Sequence, residues 1–190
     1  MIVRKIPRWL LSLTVCAFVL SALPRTIQNQ TIRIQSMSFD KFQFRDFVKR
    51  TLQAVGLYCE PGLDLVVKTV AKESNGGTYL RQIGGGPALG PGQVEPATEK
   101  DNWENYLNAR PALASEITKL TGVTGPNPSA LEGDLRYNII HIRIKYLRAK
   151  GALPDKDDLS AQARYWKLNY NTLAGDGTVE EFIAAAKKYT

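Results

Sequence analysis

Seven glycines and three prolines fall within residues 76–97, a density that neither a continuous helix nor a β-ladder can cross. With its flanks the stretch reads VAKESNGGTYLRQIGGGPALGPGQVEPATEKD. It enters as an amphipathic helix and passes through a run almost without side chains. The chain is therefore helical segments on either side of one irregular excursion, in which a small hairpin is expected.

The flanks carry helical periodicity. Phe44, Phe47, Val48, Leu52 and Val55 predict a helix over residues 42–57, closed by the Glu60-Pro61-Gly62 break. Leu63, Val66, Val67, Val70 and Ala71 form a second apolar face that Glu73 shares, and Gly76-Gly77 end it. Thr98 is expected to cap a short helix with Asp101 three residues on, and Pro111 to open another. GVTGPNPS reads as a loop. LRYNIIHIRIKYLRAKG fits a strand by alternation and a helix by spacing; its length and the closing Lys150-Gly151 favour the helix. DDLSAQARYWKLNY is a further helix, and Thr178 with Glu181 predicts a capping box for the last. The expected fold class is α+β but predominantly α, a bundle of about seven helices with a glycine-rich excursion.

The net charge of +7 does not mark a nucleic-acid face. Arg4, Lys5, Arg8, Arg25 and Arg33 place five positive charges in residues 1–36, which hold no acid, so the remainder carries only +2. Residues 9–23 are uncharged and apolar, shorter than the roughly 20 residues of a spanning helix. Residues 1–36 thus read either as a signal or inner-membrane anchor, with membrane contact through residues 9–23, or as a mis-assigned start ahead of Met37. Residues 37–190 read as one domain. The single histidine, His141, reads as a helix-surface residue. With no HExxH, no CxxC and no phosphate-binding loop, no metal and no cofactor is expected.

An acid on an apolar helix face is desolvated, and desolvation raises its pKa. Such an acid can protonate a leaving group near neutral pH, the task of a general acid in glycoside cleavage. A glycine-rich wall would let main-chain groups approach a polysaccharide, with Gln93 as the side chain that both donates and accepts. The plainer alternative is that Glu73 is an exposed last-turn residue beside an ordinary turn.

The motifs AKESNGG and GPALGPGQVEPAT resemble the soluble lytic transglycosylase branch of the lysozyme-like superfamily, in which a helix ends in Glu-Ser and is followed by G-A-x-G-L-M-Q-x-M-P-x-T. Glu73-Ser74 match the first part, and Ala88, Gly90, Gln93, Pro96, Ala97 and Thr98 the second. Pro87, Pro91-Gly92 and Glu95 depart from it. IIHIRIKYL is similar to the family's N-I-x-x-G-x-x-Y-L through Ile140, Tyr146 and Leu147, with Arg143 at the glycine and Asn138 one residue out of register. NYNTLAGDGTVEEF is similar to A-Y-N-A-G-P-G-x-V through Tyr170-Asn171, Ala174-Gly175, Gly177 and Val179, with Thr172-Leu173 inserted.

The resemblance implies a lysozyme-like helical domain acting on peptidoglycan glycan strands, with Glu73 as the catalytic residue. It implies substrate contacts from Ser74, which would orient the carboxylate, and from Ala88, Gly90, Gln93, Tyr170 and Asn171. Tyr170, or Tyr165 if the insertion lies elsewhere, would hydrogen-bond near Glu73. It further implies a bacteriophage protein located in the virion or in the host periplasm and cell wall, with other virion proteins as partners and no nucleic acid. A non-catalytic virion scaffold and a hydrolytic muramidase are the alternatives.

Overall fold

The computed structural model describes residues 38–172 and 175–189. The expected leader, residues 1–36, lies outside them. The helices are α1 (Lys41–Ala54), α2 (Glu60–Ser74), α3 (Pro96–Asn102), α4 (Pro111–Thr121), α5 (Pro128–Gly133), α6 (Leu135–Leu147), α7 (Leu159–Trp166) and α8 (Val179–Tyr189). A π turn follows α3 at Trp103–Leu107, and another follows α7 at Lys167–Asn171.

Two helices organise the rest. Helix α2 packs against α1, α6, α7 and α8, and α6 contacts α1 through α5. Residues 62–71 of α2 and residues 137–144 of α6 are buried without interruption. Leu63, Leu65, Val66 and Val70 of α2 are at most 1% exposed, and each such side chain contributes about 1.5–3 kcal/mol over leaving it in water. Burial on every side also explains the strand-like pattern of α6: a surrounded helix has no polar face, so the 3.6-residue signal fades.

Boundaries follow capping chemistry. Asp40 Oδ1 accepts from the backbone N–H of Phe42 and Gln43 and starts α1. The Glu60-Pro61-Gly62 break opens α2, with proline in its first turn, rather than ending a longer α1. Pro96 likewise starts α3, which places the expected cap Thr98 inside the helix. Helix α5 lies in the segment read as a loop, where Asn127 accepts from Ala130 N ahead of Pro128. The capping box of α8 forms in both directions: Thr178 N donates to Glu181 Oε2 at 3.0 Å, and Glu181 N to Thr178 Oγ1 at 3.2 Å.

The expected predominance of helix is borne out, and the β part of the expectation is corrected: there is no strand among the described residues. The excursion has only isolated antiparallel bridges, Arg81 with Leu89 and Leu89 with Val94. Pro87 and Pro91 have no N–H to extend them. The inner-membrane localisation is corrected for the described residues alone: no helix among them is long and apolar enough to cross a membrane. Residues 9–23, which prompted that reading, lie outside the description.

Candidate active site

The excursion folds back over the C-terminal end of α2 and helps enclose an open cavity of about 500 Å³. Glu73, Ala88, Gln93, Tyr170 and Asn171, expected from sequence, all line it. Gly90 and Ser74 do not.

Glu73 is half-buried, with a window onto the cavity. Its Oε1 accepts a hydrogen bond of 2.8 Å from Trp166 Nε1. Burial pushes its carboxyl above the ordinary carboxylate range, opposed by the Trp166 hydrogen bond and by the charges of Lys72 and Lys145. Burial wins because neither lysine makes an ion pair with it. Lys72 pairs with Glu181 at 3.2 Å. Lys145 donates to the Tyr170 carbonyl at 2.7 Å and lies 4.2 Å from the centre of the Tyr170 ring.

Ser74 does not orient the carboxylate. Its hydroxyl donates to Val70 O and accepts from Gly77 N, closing the helix where Asn75 turns left-handed at φ 51°. Tyr170 does not bond to Glu73 either. Its hydroxyl donates to Gly92 O at 2.7 Å. Tyr165 is outside the cavity lining, and its buried hydroxyl has no hydrogen-bond partner among the described residues.

The bare residues of the loop answer to α6. A Cβ on Gly90 would lie 2.2 Å from Asn138 Nδ2, and one on Gly92 would lie 2.4 Å from Ile142 Cδ1. Gly90 also has φ +68°, which any larger residue adopts only with strain. Fully buried Asn138 accepts from Gly92 N at 2.8 Å and donates to Leu89 O and Leu131 O. Asn138 and Tyr170 thus grip Gly92 by its N–H and its C=O. Gln93, the next residue, has φ 49°. Both its backbone N–H and its Nε2 donate to Gly90 O. Its Oε1 and the second hydrogen of Nε2 make no protein hydrogen bond among the described residues.

Asn171 sits on the π turn after α7, its Oδ1 accepting from Lys167 Nζ at 2.8 Å. The same ammonium donates to Gly175 O at 2.7 Å, holding the far wall to the helix. Glu95 and Asp176 also line the cavity, so it carries carboxylates besides Glu73. Among the described residues no group of three or more His, Cys, Asp or Glu is placed to hold a metal ion.

Three features escaped the sequence reading. Trp166 stands four residues before Tyr170, a spacing that shares a helix face, yet nothing in sequence links it to residue 73. Lys145 has no signal beyond its place beside Tyr146. His141 is fully buried rather than on the helix surface, its Nδ1 3.2 Å from Asn102 Nδ2, and burial holds its pKa down to about 3.

Comparison of the chain with protein-family models, with curated proteins and with solved structures finds no match.

Proposed function

We propose that this domain cleaves the glycan strand of peptidoglycan between N-acetylmuramic acid and N-acetylglucosamine, with Glu73 as the acid and then the base. The observation that carries this reading is a desolvated carboxyl, held by one indole N–H, opening onto a polar cavity. The likeness of Glu73-Ser74, the Gln93 loop and Tyr170-Asn171 to the lytic transglycosylase pattern supports it.

In the mechanism, protonated Glu73 gives its proton to the glycosidic oxygen as the C1–O bond breaks. The muramyl N-acetyl group supports the positive charge that develops at C1. The muramyl 6-hydroxyl then bonds to C1, and its proton returns to the Glu73 carboxylate. The products are a 1,6-anhydromuramyl end and a free 4-hydroxyl. A single carboxyl suffices when its pKa lies near working pH. Gln93 Oε1 would accept from a substrate N–H or hydroxyl along the wall.

A hydrolytic muramidase is the second reading, favoured by Glu95 and Asp176 in the same cavity. In it, water replaces the 6-hydroxyl and leaves a reducing end. Mass spectrometry of muropeptides released from purified sacculi separates the two: anhydro ends support the transglycosylase, and reducing ends the muramidase.

A further inference from the structure

Resting on Glu73 as the acid, we propose that Trp166 is a positioning residue that confines the transferable proton of Glu73 to Oε2, the oxygen left for the cavity.

The indole N–H can only donate. A protonated carboxyl offers a carbonyl oxygen, which accepts well, and a hydroxyl oxygen, which accepts poorly. With Trp166 Nε1 2.8 Å from Oε1, the favoured arrangement puts the carbonyl at Oε1 and the O–H at Oε2. Oε2 has no protein hydrogen bond among the described residues and is not sealed from solvent. The proton is therefore presented on the side from which a glycosidic oxygen approaches. Once it leaves, the same N–H faces a carboxylate oxygen, and a hydrogen bond to a charged acceptor is the stronger one. The indole thus assists departure of the proton and leaves Oε2 open to take it back.

Trp166 is itself fixed. It is fully buried and stacks on Phe182 at 5.1 Å between ring centroids. Gly177 lies close to its ring edge, where a Cβ would sit 2.7 Å from Cη2. Among the described residues no other group donates to Oε1. Lys72 is on the same helix as Glu73 and is paired with Glu181. On α6, Lys145 is engaged by Tyr170 O, and the Tyr146 hydroxyl by Thr69. The Tyr170 hydroxyl is held by Gly92 O. Glu95 and Asp176 line the same cavity, and among the described residues neither is hydrogen-bonded to Glu73.

The test is a 13C NMR titration of the Glu73 side-chain carboxyl in the substrate-free full-length protein. Trp166→Phe keeps an aromatic ring against Phe182 and removes the N–H. Phe182→Leu loosens the stack and keeps the N–H. The expected result is a Glu73 midpoint that moves up in Trp166→Phe and stays at the wild-type value in Phe182→Leu. On sacculi, Trp166→Phe should lower kcat about tenfold to a hundredfold, leave KM within about twofold and shift the alkaline limb of the pH profile upward. An unmoved or lowered midpoint in Trp166→Phe, or equal shifts in both variants, overturns the proposal. If Trp166→Phe does not fold, the wild-type indole N–H resonance decides: it must titrate with the Glu73 midpoint, and a flat response overturns the proposal. These titrations need no substrate, so a protein that fails to cut sacculi leaves the Trp166 result readable by itself.

Discussion

Asn138 on α6 and Gly92 in the glycine-rich loop are joined by a buried 2.8 Å hydrogen bond, the Gly92 N–H donating to Asn138 Oδ1. The amide group of Asn138 also donates to Leu89 O and Leu131 O. One side chain thus fixes the loop that carries Gln93 to the central helix. Asn138→Leu would strand the Gly92 N–H and the Leu131 C=O, whereas Leu89 O keeps its bond from Val94 N. Each buried unpaired group costs about 1–3 kcal/mol, so the variant is expected to lose about 2 kcal/mol or more in urea unfolding. A change below about 1 kcal/mol would mean that the loop is not held this way.

Gln93 offers a test of binding separate from stability. Glycine at this position relieves a left-handed backbone, which is strained by about 1–2 kcal/mol in an L-residue. It also removes a side-chain hydrogen bond of about 0.5–1.5 kcal/mol. These nearly offset, so Gln93→Gly should melt close to wild type while KM for sacculi rises. An unchanged saturation curve would remove Gln93 from the substrate wall.

Glu73 should destabilise the fold at neutral pH. Its pKa is raised in the folded protein by burial, so above the ordinary carboxylate pKa the unfolded chain sheds a proton that the folded chain retains. Stability then falls as pH rises, until the folded pKa is passed. Glu73→Gln removes that penalty. The variant is expected to melt above wild type at pH 7, with the difference shrinking toward pH 4. A lower melting temperature at pH 7 would show that the carboxyl is stabilised rather than desolvated.

His141 sets the opposite slope. Its folded pKa of about 3 lies below the ordinary histidine value of about 6.5. As pH falls through that interval the unfolded chain gains a proton that the folded chain refuses, and stability declines. Replacing it with phenylalanine should flatten the decline between those values, read by thermal unfolding across pH. Parallel curves would place the acid sensitivity elsewhere.

Much of the helical frame was legible because its cues are local. The spacing of Val66, Val70 and Glu73 placed the acid on the apolar face, and Thr178 with Glu181 announced α8 through a box that forms in both directions. Helix α6 was ambiguous because it is buried all round, and α5 was missed because Asn127-Pro128 reads equally as loop and as helix start. The loop's glycines were legible as a need for space, but not as to whose. Gly90 and Gly92 make room for Asn138 and Ile142. Trp166 was out of reach because its partnership with Glu73 spans 93 positions.

The central claim is that Glu73 delivers the proton that breaks the glycan. The most direct measurement compares muropeptide release from purified sacculi by wild type and by Glu73→Gln, after confirming that the variant is folded. The amide keeps the shape and cannot donate that proton. The account expects a wild type that releases soluble muropeptides and a variant slower by about 10²–10⁴. A Glu73→Gln protein that digests sacculi at close to the wild-type rate would contradict it.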